Sequence, residues 1–337
     1  MLQNTSLFRV ATTKWLLAVI LCSGFAGPIR AQDVSGSQST SSSLSDVMPH
    51  QHAPIAVRSR PVIERLPVKV IAPVDLRVGP VGQVFVADVK ARCIFRLDEF
   101  SSVSMVAENL SGIRRISLDA DGSLFVLTSD GGESGIHQIT PEGRRFLLHT
   151  LHFPATSFVR TTIGEFIVGS ERRVWRISIE GELILMCELS EPALDLALNP
   201  AGGTEILMPG GHILSAVGEG QMRNGGFGHP ESIRLLTRPD GRLVTLTAPA
   251  GPGARSGLFE VSDVLLAKGE FSTLAWVPEG TRSAGFDALG NLCLANPDLR
   301  AVTRVTSRFM IPCPHCGKPT LMIFDADAPA AGRAGSF

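Results

Sequence analysis

The chain of 337 residues contains no tyrosine, and its aromatic residues together make up only 6% of it. A surface built to stack bases or sugar rings needs more, which argues against single-stranded nucleic acid as a partner. Charge of one sign is missing too: 31 basic side chains face 32 acidic ones, a formal net charge of −1. There is no basic field to hold a phosphate backbone and no acidic field to gather cations. A membrane-spanning run is absent as well, since the apolar stretch near the N-terminus, Trp15 to Ala26, falls short of the roughly twenty residues a spanning helix needs. Cysteine is sparse. Beyond Cys22 there are Cys93, Cys187, Cys293, Cys313 and Cys316, an odd number scattered too widely for a disulfide framework.

What is present begins with a leader. Arg9 and Lys14 give a positive start, the apolar run follows, and Ile29-Arg30-Ala31 offers a cleavage site before Gln32, so residues 1–31 read as a secretory signal peptide. The expected location is periplasmic or extracellular, without a membrane span once the leader is cut; left uncut, it is an N-terminal membrane anchor. Leu21 stands where a lipid-attachment signal at Cys22 would want a small residue. Residues 32–61 are rich in Ser, Gln, Gly and Pro and bury too little to offset their ordering entropy; they read as a disordered linker, its His50 and His52 solvated.

From residue 62 to 310 the sequence is periodic. Turn glycines recur at Gly82, Gly122, Gly164, Gly202, Gly241 and Gly290, each followed by a β-rich run. Repeat 1 has four such runs, around 74–78, 84–88, 93–97 and 103–107. A period near forty with four short strands per unit is the signature of propeller blades, whereas helical repeats of that length would show a 3.6-residue period. The fold class is therefore all-β, a six-bladed β-propeller. Gly210-Gly211 and Gly225-Gly226 are expected to break the strands of repeat 4. The 249–255 insertion falls between the second and third strands of repeat 5. The last repeat supplies only three strands, and the alternating segment 66–71, just before repeat 1, is the candidate for its fourth, which would latch the ring shut.

Asp-Gly turns recur, as in Asp121-Gly122 and Asp240-Gly241, with following strands such as Leu124-Phe125-Val126, and third strands carry Phe95-Arg96 and Trp175-Arg176. In these motifs the chain resembles the NHL-repeat and gluconolactonase-like group of six-bladed propellers. The resemblance implies a fold that hosts lactonases, lyases, receptors and scaffolds alike. In gluconolactonases it implies a divalent cation held in the channel by Glu, Asn and Asp, yet the Glu-Gly-Pro start of that family's first blade is absent here. A lyase of the virginiamycin type would need a channel histidine, and His137, His212 and His229 are weakly placed for it.

Counting back seven residues from each turn glycine gives one equivalent position per blade at the start of the inner strand: Asp75, Arg115, Ser157, Asp195, Arg234 and Ser283. The order Asp, Arg, Ser runs twice around the ring, so like residues face each other across the channel. Two guanidinium groups and two carboxylates converging there suit a small polar or anionic ligand. The plainer alternative pairs Asp75 with Arg115 and Asp195 with Arg234 merely to satisfy charge. Oxygen ligands from Asp75 and Asp195 would favour a divalent cation, while the arginines oppose it.

Beyond the last repeat, residues 311–325 form a cysteine knuckle, Cys313-Pro314-His315-Cys316-Gly317, before a tail at 326–337 read as disordered. Cys313 and Cys316 resemble half of a zinc ribbon; a structural zinc takes four ligands, so the other half would have to come from a partner chain, and a local disulfide or free thiols on a vestigial knuckle are the alternatives. Redox catalysis is disfavoured, because no βαβ pattern surrounds the pair. The reading as a whole is an exported, non-catalytic module that binds a ligand or another protein, with a metal-dependent lactonase-type hydrolase or a lyase using the channel as the alternative.

Overall fold

The computed structural model describes residues 62–98, 100–218, 220–248, 256–266, 270–287 and 290–306, with the strand backbones at 55–57, 308–312 and 319–324. The leader, most of the linker, the 249–255 insertion, Cys313 and Cys316 and the tail lie outside the described residues. Among those described, no helix is long and apolar enough to cross a membrane.

Six four-stranded antiparallel sheets follow one another along the chain. Blade 1 has the strands Pro73–Val78, Val84–Asp88, Cys93–Leu97 and Val103–Ala107; blades 2 to 5 occupy 113–151, 157–188, 195–227 and 232–277 in the same inner-to-outer order. The inner strands are Pro73–Val78, Ile113–Leu118, Ser157–Arg160, Asp195–Leu198, Ser232–Thr237 and Ser283–Phe286, and each packs on the next around the ring. The six turn glycines all sit at φ between 81° and 95°, a region closed to most side chains, and each donates its N–H to the carbonyl three residues earlier. That shared turn fixes the phase of every inner strand, which is why a count from the glycine finds equivalent positions.

Repeat 4 keeps its four strands. Gly210-Gly211 fall in a short 3-10 turn between its second and third strands, and Gly225-Gly226 lie within its outer strand, Gln221–Phe227, next to a bulge. The glycines fall at a turn and a bulge and leave the blade unbroken.

Blade 6 consists of Ser283–Phe286, Leu292–Asn296, Ala301–Thr306 and an N-terminal strand that closes the ring. The closing strand is Val62–Arg65, not 66–71; it runs antiparallel to Ala301–Thr306, with Val62 opposite Thr306. Pro67 has no N–H to give a ladder, and only Leu66 adds one more backbone bond, to the Val302 carbonyl. The alternation at 66–70 has another use. Leu66, Val68 and Val70 are buried in a cluster that joins Cys293, Ala295 and Val302 of blade 6 to Leu76, Val84 and Val86 of blade 1. Asp88, fully buried, then holds the end of this connector by accepting from the N–H groups of Ile71 and Ala72. Each of the other five seams between blades has an apolar cluster of its own, the smallest being that of Ala197, Leu207, Ile213 and Leu235 between blades 4 and 5.

Past blade 6, Arg308–Pro312 and Pro319–Phe324 pair as a hairpin with Pro312 opposite Pro319, and Ile55–Val57, inside the stretch read as linker, adds to it in parallel. The pairing of 320–324 agrees with its apolar pattern.

Cys93, Cys187 and Cys293 are buried in strands, as small apolar residues would be. Burial pushes the Cys93 and Cys293 thiols up to about 11 and raises Cys187 as well. Because the thiolate is the reacting species, iodoacetamide at pH 8 is expected to spare all three in the folded protein and to label them in urea. Peptide mapping that finds Cys293 alkylated in the native state would contradict this packing.

Candidate functional site

All six positions counted from the turn glycines lie on the inner strands. Asp75, 1% exposed, accepts from Ser283 Oγ at 2.7 Å, from the Ile116 N–H at 2.9 Å and from Arg77 Nη1 at 3.4 Å, with Arg234 Nη2 at 3.9 Å. Asp195 accepts from Arg115 Nε at 3.3 Å and the Leu235 N–H at 3.0 Å, with Arg234 Nη1 at 3.9 Å. Arg234 is further held by the carbonyls of Arg282 and Val74, at 2.8 and 2.7 Å.

The pairing is not simply between neighbours. Arg115 passes over blade 3 to reach Asp195 of blade 4, and Arg234 bridges both aspartates. Adjacent Asp75 and Arg115 are joined only indirectly, because Asp75 spends its oxygen on the backbone beside Arg115. Burial holds the Asp195 carboxyl above the usual carboxylate range, against the pull of Arg115 and the Leu235 N–H. Both carboxylates that a channel cation would need are thus engaged by guanidinium groups, and this donor set does not suit a cation. Among the described residues no group of three or more His, Cys, Asp or Glu is placed to hold a metal ion.

Beyond this network, toward the turn-glycine end of the inner strands, the channel opens into a cavity of about 330 Å³ lined by residues of all six blades. Its polar lining includes Arg77, Arg160, Ser117 and Thr237; Val78 and Phe286 contribute apolar wall. Arg160 forms an ion pair with Asp119, and its guanidinium lies 4.4 Å from the Phe125 ring centroid. Reading one position per blade missed both cavity arginines, since they stand two and three residues further along their strands than the counted ring. A basic residue in strands otherwise apolar past the ring was the available signal. The histidines stand elsewhere: His229 is buried and stacked on Phe259 at 4.4 Å, His212 meets the edge of Phe227, and His137 contacts Thr128 Oγ1 at 3.1 Å. A larger hollow of about 640 Å³ lies at the rim of blade 3, where Phe153 stacks on Trp175 between Pro154 and Pro192.

No protein-family model and no curated protein matches the chain. Solved structures do. A gluconolactonase from Xanthomonas campestris is 14% identical with a TM-score of 0.55, over 77% of this chain and 99% of the other. Virginiamycin B lyase from Staphylococcus aureus is 12% identical with a TM-score of 0.52, over 73% and 99%. A streptogramin B lyase is 12% identical with a TM-score of 0.55, over 73% and 97%. Identities this low speak for architecture alone: the chain has the six-bladed β-propeller fold that these gluconolactonase and lyase structures share.

Proposed function

We propose that this propeller is a non-catalytic binding module, exported by its leader, that takes a small polar or anionic ligand in the channel. The observation that carries this reading is the state of the two central carboxylates. A lactonase-type centre needs oxygen donors free to hold a cation, and a lyase needs a placed acid or base. Asp75 and Asp195 instead stitch blades together, each accepting a backbone N–H of the following blade and each facing arginine. None of the histidines at 137, 212 and 229 lines the cavity. What is left for a ligand is a concave space with two arginines at its wall, which suits recognition better than chemistry.

The test is a paired measurement on the purified protein. Thermal shift with Ca²⁺, Mg²⁺ and Mn²⁺ is expected to give no stabilisation, while calorimetry against a panel of small polyols, sugar acids and carboxylates gives a saturable ligand. Turnover of a lactone, or ring opening of a streptogramin, that EDTA abolishes would overturn the reading in favour of a metal-dependent enzyme.

A further inference from the structure

Resting on the channel-binding reading, we infer that the cavity is built for a small organic monocarboxylate, its oxygens held by inward backbone N–H groups and by Arg77 and Arg160. The asymmetry of the ring carries this. In every blade the ring residue is laddered to its own second strand, so the N–H of the next residue turns away from that strand toward the axis and the preceding blade. In three blades that N–H is capped by the ring residue of the preceding blade: Leu76 by Ser283, Ile116 by Asp75, Leu235 by Asp195.

In the other three blades the equivalent donors belong to Phe158, Leu196 and Ala284. Their preceding ring residues are Arg115, Ser157 and Arg234. The arginines can only donate, and Ser157 Oγ, though fully buried, has no partner among the described residues. No side chain among the described residues accepts from these three N–H groups, and all three residues line the cavity. Arg160 adds a buried Nε without a partner to the same wall. Buried donors left without acceptors are costly in free energy, so the cavity floor calls for an acceptor-rich group.

Charge selects among oxyanions. Four guanidinium groups (Arg77, Arg115, Arg160, Arg234) meet three carboxylates (Asp75, Asp119, Asp195), which leaves 4 − 3 = +1. One negative charge balances the site, and a phosphate dianion overshoots it. The apolar wall toward the mouth, with Val78, Leu198 and Phe286, then fits a compact hydrocarbon body.

Isobutyrate, its neutral twin isobutyramide and inorganic phosphate are the probes, titrated by calorimetry or ligand-observed NMR. Isobutyrate is expected to bind, isobutyramide at least tenfold more weakly and phosphate more weakly than isobutyrate. Ser157→Asp installs the missing acceptor below Leu196 and reproduces the capped pattern of Asp75 and Asp195; with the urea midpoint checked, it is expected to weaken isobutyrate at least tenfold. Arg160→Gln should do the same, and Arg77→Gln replaces it if that variant does not fold. Equal binding of acid and amide, tighter binding of phosphate, or unchanged affinity in Ser157→Asp would refute the carboxylate site while leaving a channel ligand standing. If no small molecule of any charge bound, the broader reading would fall with it.

Discussion

Replacing Asp75 with alanine is expected to destabilise the ring by about 3–5 kcal/mol, the usual penalty for removing one partner of a buried charge network. The residue is 1% exposed and serves three blades at once: Ser283 of blade 6 donates to it, the Ile116 N–H of blade 2 ends on it, and Arg234 of blade 5 stands 3.9 Å away. In the alanine variant a buried N–H and a guanidinium with 7% of its side chain exposed lose an acceptor together. Asp75→Asn keeps an acceptor for Ile116 and should lose less. The exposed pair Arg173 and Glu188 gives the contrast, since breaking it is expected to matter by about 0–1 kcal/mol. Urea unfolding of the three variants supplies the comparison. An Asp75→Ala protein within about 1 kcal/mol of the parent would mean that the central charges do not join the blades.

Leu66→Ala is expected to lose about 2–5 kcal/mol, the range for emptying a buried leucine site. A chain shortened to begin at residue 66 is expected to lose less. That shortening removes Ile55–Val57, which pairs only with Pro319–Phe324 outside the ring, and Val62–Arg65, which is exposed at all four residues and holds on by backbone bonds, whose net worth is about 1 kcal/mol each before chain entropy is subtracted. Leu66, with Val68 and Val70, fills the seam between the last blade and the first. The ring would thus be held by its plug more than by its latch. Denaturation midpoints of the two proteins rank the contributions, and the reverse order would show that strand pairing does the holding.

The parts of this fold legible in sequence were those with a one-residue signature. Glycine at positive φ marked every inner turn, so blade number, strand order and the ring Asp75, Arg115, Ser157, Asp195, Arg234, Ser283 followed by counting. The closing strand was misplaced because Leu66-Pro67-Val68-Lys69-Val70 alternates as a strand does, and alternation reports burial on one side without saying whether backbone bonds accompany it. The true closing strand carries exposed Val62 and Ile63 and showed no pattern at all. Glycine pairs weaken strands in isolation, yet repeat 4 keeps its outer strand because Gly226 pairs with Ile213 and Gly225 is taken up in the bulge beside it. Neighbouring blade positions foretell the contact of Asp195 with Arg234 but not that of Arg115 with Asp195, because an arginine reaches far enough to bypass the adjacent blade.

That the seam holding Leu66 also contains Val302 has a bearing on how the molecule comes into being. Leu66 is made before blade 1 and Val302 only with blade 6, so blade 1 must wait, one flank bare, until the later blades are made. Such long-range closure is slow and leaves apolar surface exposed to neighbouring molecules in the interval. That exposure ends when the last blade arrives and its apolar residues cover Leu66, Val68 and Val70.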